Sequence, residues 1–119
     1  MQNAKTLQTL TENLWAEYCE IFPRLVRFDA PVITINNRLT KCAARNFTET
    51  NIIDMGGKFL NQFESNMIRV ILPHEIAHQI DYNLNGWHDR KPHHGKTWIE
   101  IMCRIGQNPN PYHSMVLAK

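Results

Sequence analysis

The chain has 119 residues, of which 43% are hydrophobic and 20% are charged, and its formal net charge is +2. This length and composition fit a folded domain rather than a disordered chain, and the net charge is smaller than dedicated nucleic-acid-binding proteins usually carry. We expect one domain over residues 1–119, with a core at about 4–106 and a tail at 107–119. The sequence predicts neither a secretion signal nor a membrane span.

The cysteines indicate the compartment. Cys19, Cys42 and Cys103 are odd in number and far apart, and no C-x-x-C pair occurs. This pattern excludes a cysteine zinc ribbon within this chain and favours reduced, mostly buried thiols. We therefore expect a cytoplasmic protein.

The first predicted element is an amphipathic helix over residues 4–22. Pro23 follows it, and a proline cannot continue a helix. Apolar residues recur in the helix at helical spacing and are expected to face the core: Leu7, Leu10, Leu14, Tyr18 and Phe22.

Strands are predicted next. Residues 31–37, PVITINN, are rich in β-branched side chains, which is typical of a strand. Residues 41–47 could pair with this strand across a turn at 36–38. Residues 50–55 could form another strand, and the glycines at 56–57 then break the chain. The sequence thus predicts a small antiparallel sheet of about three strands.

A long helix is predicted to follow the sheet. Ser65 can cap a helix that runs to about residue 84, and Gly86 is a natural stop. Pro73 lies inside this span and cannot donate a backbone hydrogen bond. The helix is therefore expected to kink at Pro73 or to start afresh near it.

A last helix is predicted over residues 96–105, closed by Gly106. Its apolar residues share one face that we expect to be buried: Trp98, Ile101, Met102 and Ile105. Taken with the strands, these helices predict an α+β fold in which the sheet packs against the N-terminal, central and C-terminal helices.

The central helix carries an H-E-x-x-H motif at residues 74–78. Residues four apart on a helix differ by about 40° in direction and about 6 Å in rise, so His74 and His78 can reach one metal ion. Glu75 is offset from them, which places its carboxylate near a water on the metal. Zinc lowers the pKa of such a water, and a carboxylate can take its proton as it attacks a carbonyl.

A catalytic zinc needs a third protein ligand and an open fourth position. The downstream candidates are His88, Asp89, His93 and His94. We favour His94, because it precedes Gly95 and opens the last helix, so that a rigid element can present it. His93 is the close rival.

The segment at residues 72–98 carries a resemblance to a known family. Its sequence from Pro73, PHEIAHQIDYNLNGWHDRKPHHGKTW, resembles the metallopeptidase core of SprT-like proteins, which are related to the Spartan proteases. In that family H-E-x-x-H is followed by His-Gly-x-x-Trp, which here is His94-Gly95-Lys96-Thr97-Trp98. The resemblance extends more weakly over residues 31–113.

The resemblance implies a zincin-like fold with one zinc ion per chain, held by His74, His78 and His94. It also implies zinc metalloendopeptidase activity, which in eukaryotic members acts on proteins crosslinked to DNA. Members of the family often carry a C-terminal zinc ribbon or another DNA-binding element. We find no such ribbon in this chain, which leaves DNA targeting open.

Other residues are weaker candidates. Asp81 lies one turn beyond His78 and could accept a proton from its second ring nitrogen, although it could equally be an exposed helix carboxylate. Tyr112 or His113 could stabilise an oxyanion. A basic span could contact DNA phosphates or could be ordinary solvated surface: Arg24, Arg27, Arg38, Lys41 and Arg45.

Two further functions compete with the peptidase. In one, zinc only stabilises the fold of a DNA- or protein-binding module without catalysis. Glu75 argues against this module, because a purely structural site has no need for a carboxylate beside its ligands. In the other, the chain is a zinc hydrolase of cell-wall peptides, and the lack of an export signal argues against it.

Overall fold

The computed structural model describes residues 3–86, 93–110, 113 and 115–117. The chain has an α+β fold, and no helix in this part is long and apolar enough to cross a membrane. The elements follow one another as α1 (Ala4–Ile21), a 3-10 helix (Pro23–Arg27), β1 (Val32–Asn36), β2 (Ala44–Phe47), β3 (Ile52–Gly56), α2 (Gly57–Gln62), α3 (Glu64–Asn66), a π-helical segment (Met67–Ile71), α4 (Leu72–Asn85) and α5 (Lys96–Arg104).

Helix α1 lies close to its predicted position and has a defined start. Asn3 accepts a hydrogen bond from the backbone N–H of Thr6, and the Thr6 side chain accepts one from the backbone N–H of Asn3. This reciprocal pair satisfies backbone donors that the first turn leaves open. The chain then enters the 3-10 helix at Pro23.

The sheet has the order β1-β3-β2, with β1 parallel and β2 antiparallel to β3. The prediction of a purely antiparallel sheet, with residues 31–37 and 41–47 paired, was therefore wrong. The turn does form, and Asn36 Oδ1 accepts from the backbone N–H of Arg38 at 2.9 Å. However, β3 lies between the two strands, because its apolar residues Ile53 and Met55 take the fully buried central position.

One face of the sheet packs on the helices. Ile33 and Ile53 lie opposite each other on that face and belong to one hydrophobic cluster with residues of α1, α4 and α5. On the other face, Asp54 accepts hydrogen bonds from Thr34 and Asn36 and lies 3.8 Å from the Arg45 guanidinium. The alternation of the strands thus separates a core side from a polar side.

The helical half differs from the prediction at its start. Helix α2 follows β3 directly, and Ser65 lies inside α3 rather than at a cap, so the predicted cap was wrong. The π-helical segment leads into α4, where Pro73 lies at a position that needs no backbone donor. Gly86, with a φ of 72°, ends α4 as predicted.

Helix α5 lies against α4 and buries the predicted face. Trp98, Ile101 and Met102 are buried, whereas Ile105 is half-buried. The prediction of mostly buried thiols was wrong, because Cys19 and Cys42 are half-buried and Cys103 is exposed.

Candidate metal centre

Helix α4 presents two imidazoles on one face. The Nε2 atoms of His74 and His78 lie 3.2 Å apart, as the spacing of four residues allows. Both side chains are half-buried and line a cavity of about 510 Å³ between α4 and β2. The helix therefore aims two nitrogen ligands at one point on the cavity wall.

A third imidazole comes from the residue that precedes the Gly95 cap of α5. His94 Nε2 lies 3.2 Å from His74 Nε2, and single ligand atoms of all three histidines lie within 4.8 Å of one another. In a tetrahedral site with zinc–nitrogen distances of about 2.05 Å, the nitrogens are separated by about 3.3 Å. The three residues thus fit a metal ion and could hold one.

The protonation of these histidines favours metal binding. Burial, followed by the nearby His94 and His113, lowers the pKa of His74 to about 4. Burial and the neighbouring His93 also lower the pKa of His94. A neutral imidazole keeps a lone pair for a metal, so both rings are suitable ligands at neutral pH.

Glu75 lies beside the three histidines in the first turn of α4. Its side chain is buried, and Oε2 lies 3.5 Å from His74 Nε2. Burial raises the pKa of Glu75 to about 8. A cation held by the histidines would favour the carboxylate and lower that pKa.

Trp98 forms the floor beneath the three histidines. It is fully buried, its ring stacks on His78 with centroids 5.3 Å apart, and its edge contacts are with His74 and His94. Its indole N–H donates to the backbone oxygen of His74 at 3.4 Å. One side chain of α5 therefore holds all three imidazoles in place.

The other candidate residues do not belong to the group of three histidines. His93 is exposed and its ring lies 5.8 Å from that of His78, but the group of ligand atoms includes His94 and not His93. His88 and Asp89 lie outside the described residues, as does Tyr112, the oxyanion candidate.

The remaining polar candidates line the same cavity. His113 is exposed, and its Nδ1 accepts from the backbone N–H of Met115 at 3.2 Å. Asp81 is buried, and its Oδ1 accepts from Asn85 at 2.8 Å. Their roles as an oxyanion stabiliser and as a partner of His78 stay predictions.

The residues of the basic span lie on several elements of the chain. All five of its side chains are exposed. Arg24 donates to the backbone oxygen of Leu84 near the end of α4, whereas Arg45 lies on β2 beside the cavity. The charges are therefore distributed over different elements.

Sequence reasoning missed Gln79 and its partner Asn46. Gln79 is fully buried and its Oε1 accepts from Asn46 Nδ2 at 2.9 Å. The only signal in the sequence was an amide residue on the buried face of a helix, next to a candidate ligand.

The model of the SprT-like family matches residues 7–116. Protein SprT of Actinobacillus succinogenes is 31% identical over 87 residues, and protein SprT of Vibrio parahaemolyticus is 32% identical over 87 residues. Both alignments cover 72% of this chain, but only 49% and 50% of the relatives, so the chain spans about half their length. No solved structure matches the chain, and the zincin-like fold stays a prediction.

Proposed function

The chain belongs to the SprT-like family, and from this premise we propose that it is a zinc metalloendopeptidase. The observation that carries the proposal is the convergence of His74, His78 and His94 beside a buried carboxylate. Nitrogen ligands in a tetrahedral arrangement suit zinc among the common divalent ions. The zinc identity rests on this donor set.

The chemistry divides between the ion and the protein. Zinc supplies Lewis acidity that makes water a nucleophile at neutral pH and polarises a peptide carbonyl. Glu75 takes the proton of the attacking water on its carboxylate and passes it to the leaving amine. Trp98 keeps the histidines in orientation, and His113, which lines the same cavity, donates to the developing oxyanion.

The number of ligands favours catalysis over a purely structural zinc. Among the described residues, the group that could hold the ion has three members. Structural zinc sites normally close with four protein ligands, whereas catalytic sites keep one position open. The cavity beside the histidines gives a substrate access to that position.

Strand β2 is the proposed docking edge for a peptide substrate. It lies at one end of the sheet and lines the cavity. The Gly56 N–H donates to the Ala43 oxygen, so the backbone groups of Ala43 point towards β3. Backbone groups alternate in direction along a strand, so those of Ala44 and Asn46 point away from β3. An extended peptide can pair with these groups and bring a bond to the metal centre.

The test is cleavage of an unfolded protein substrate by the zinc-loaded chain. We expect cleavage that a chelator abolishes and that added zinc restores. Failure to cleave any unfolded protein, with zinc bound at one ion per chain, would contradict the proposal and favour the non-catalytic binding module.

Action on DNA-associated or DNA-crosslinked proteins is a second proposal, supported by the exposure of the basic span. Arg38 and Lys41 lie in the connection before β2, and Arg45 lies on β2 itself. We expect DNA affinity that falls steeply with salt. Replacing Arg38 and Lys41 with glutamate should reduce the salt slope by about 2, whereas Lys5→Glu on α1 should not. Absence of binding at low salt would remove DNA from the proposal.

A further inference from the structure

Gln79 is a fully buried amide in the middle of α4, directly after the candidate ligand His78. All of its polar atoms have partners. Nε2 donates to the Thr48 backbone oxygen at 3.1 Å and to Asn83 Oδ1 at 3.0 Å, and Oε1 accepts from Asn46 Nδ2 at 2.9 Å. An amide in this environment is costly unless its hydrogen bonds are made, so the arrangement is specific.

Two of the three partners of Gln79 lie on, or directly after, the strand that borders the cavity. Asn46 belongs to β2, and its Nδ2 also donates to the Ile52 oxygen on β3. Thr48 follows the end of β2. These bonds join the helix that carries the histidines to the edge strand and to the centre of the sheet.

We infer that Gln79 is a positioning residue that fixes the substrate-docking edge of β2 relative to the metal centre. This inference rests on the proposed peptidase function, and it identifies the residue that holds the substrate-docking strand in position. Hydrogen bonds are directional, so they set the height and angle of β2 above α4 in a way that apolar packing does not. A small displacement of a docked peptide is enough to misplace its scissile bond.

Gln79 also limits the length of the docking edge. The Thr48 carbonyl is the next acceptor along the strand after the outward groups of Asn46, and Gln79 Nε2 occupies it. A peptide that pairs with β2 can therefore use the outward groups of Ala44 and Asn46, whereas at the Thr48 carbonyl it would compete with Gln79. This assigns a fixed register to the substrate, since sliding by two residues would lose a hydrogen bond.

The first experiment compares Gln79→Met, which keeps the side-chain length, with the control Asn83→Ala, which leaves both bonds to β2 intact. Zinc content and the melting temperature are measured for each variant. For an extended peptide we expect Gln79→Met to lower kcat/KM by about tenfold, with a raised KM, while zinc stays at one per chain. A blocked dipeptide, too short to reach along β2, should be cleaved at an unchanged rate.

Equal losses for the extended and the short substrate would overturn the inference, because they would indicate a general effect on the metal centre. Loss of zinc in Gln79→Met would overturn it for the same reason. A kcat/KM for the extended peptide equal to that of Asn83→Ala would also overturn it.

A second experiment does not depend on activity. Amide hydrogen exchange is measured for Arg45 and Phe47 of β2 and for Ile76 and Ile80 of α4. We expect Gln79→Met to accelerate exchange in β2 and to leave α4 unchanged. Unchanged β2 exchange would contradict the positioning role even in an active enzyme. Accelerated β2 exchange in a protein that cleaves nothing would support it while the peptidase proposal fails.

Discussion

The Nε2 atoms of His74 and His94 lie 3.2 Å apart, although 20 residues separate them in sequence. The approach depends on the packing of α4 against α5. Trp98, one turn into α5, is buried against the histidines and donates to the backbone of His74. The helix–helix contact thus brings together the residues of the candidate metal centre, and Trp98 belongs both to this site and to the hydrophobic core.

Replacing Glu75 with glutamine removes the proposed proton acceptor and keeps the side-chain shape. We expect cleavage to fall by about 10²- to 10⁴-fold, the usual contribution of a general base, while zinc stays at one ion per chain. Peptide cleavage and metal analysis of the same sample test this. Glu100→Gln, on the exposed side of α5, is the matched control and should retain activity. Activity retained in Glu75→Gln would remove Glu75 from the chemistry.

Neighbouring alanine variants distinguish His94 from His93. Loss of the His94 imidazole removes one of three ligands, and we expect zinc affinity to fall by more than about 100-fold. His93→Ala should bind zinc as the unchanged protein does, because His93 is outside the ligand group. Zinc content after dialysis against a competing chelator measures both. The reverse result would transfer the third ligand to His93.

Local sequence signals predicted the helices well and the sheet poorly. The periodicity of Leu7 and Tyr18, with Pro23 after them, was sufficient to place α1 within a residue at its end. The position of β3 between β1 and β2 depends on which strand is most completely buried, and Ile53 and Met55 of β3 are fully buried on the core side only in the folded chain. Pairing between distant strands has no local signal, so the hairpin was wrongly predicted.

The residues of the candidate site also differ in how far the sequence predicts them. The spacing of His74 and His78 places both on one helical face, so that pair follows from the sequence. The sequence already favoured His94, which precedes Gly95 and the last helix, but kept His93 as a rival, and the group of ligand atoms in the folded chain includes His94. Gln79 escaped notice because its role depends on Asn46, which lies on another element 33 residues away.

Trp98→Phe tests whether the indole supports the metal centre. The smaller ring loses the hydrogen bond to His74 and leaves a cavity beneath His78, so we expect both lower stability, by about 1–3 kcal/mol, and weaker zinc binding. Trp15→Phe is the control. Trp15 is also buried and its indole N–H also donates to a backbone oxygen, that of Phe28, but Trp15 lies on α1 and not beside the histidines. It should lower stability without changing zinc affinity. Equal zinc affinities in the two variants would limit Trp98 to a packing role.

Ionisation of Tyr18 is expected to lower the stability of the fold at alkaline pH. Burial, with a smaller effect of Glu17, raises the pKa of its phenol from 10.0 to about 12. Below pH 10 the phenol is neutral in the folded and unfolded states, so its contribution is complete. As pH rises from 10 towards 12 the unfolded chain loses the proton first, and the free energy of unfolding falls, by about 1.4 kcal/mol at about pH 11. Tyr18→Phe has no phenol to ionise. We therefore measure the free energy of unfolding of the unchanged protein and of Tyr18→Phe by denaturant titration. The difference between the two values should change by about 1.4 kcal/mol between about pH 8 and pH 11. A pH-independent difference would mean that the Tyr18 phenol ionises alike in both states.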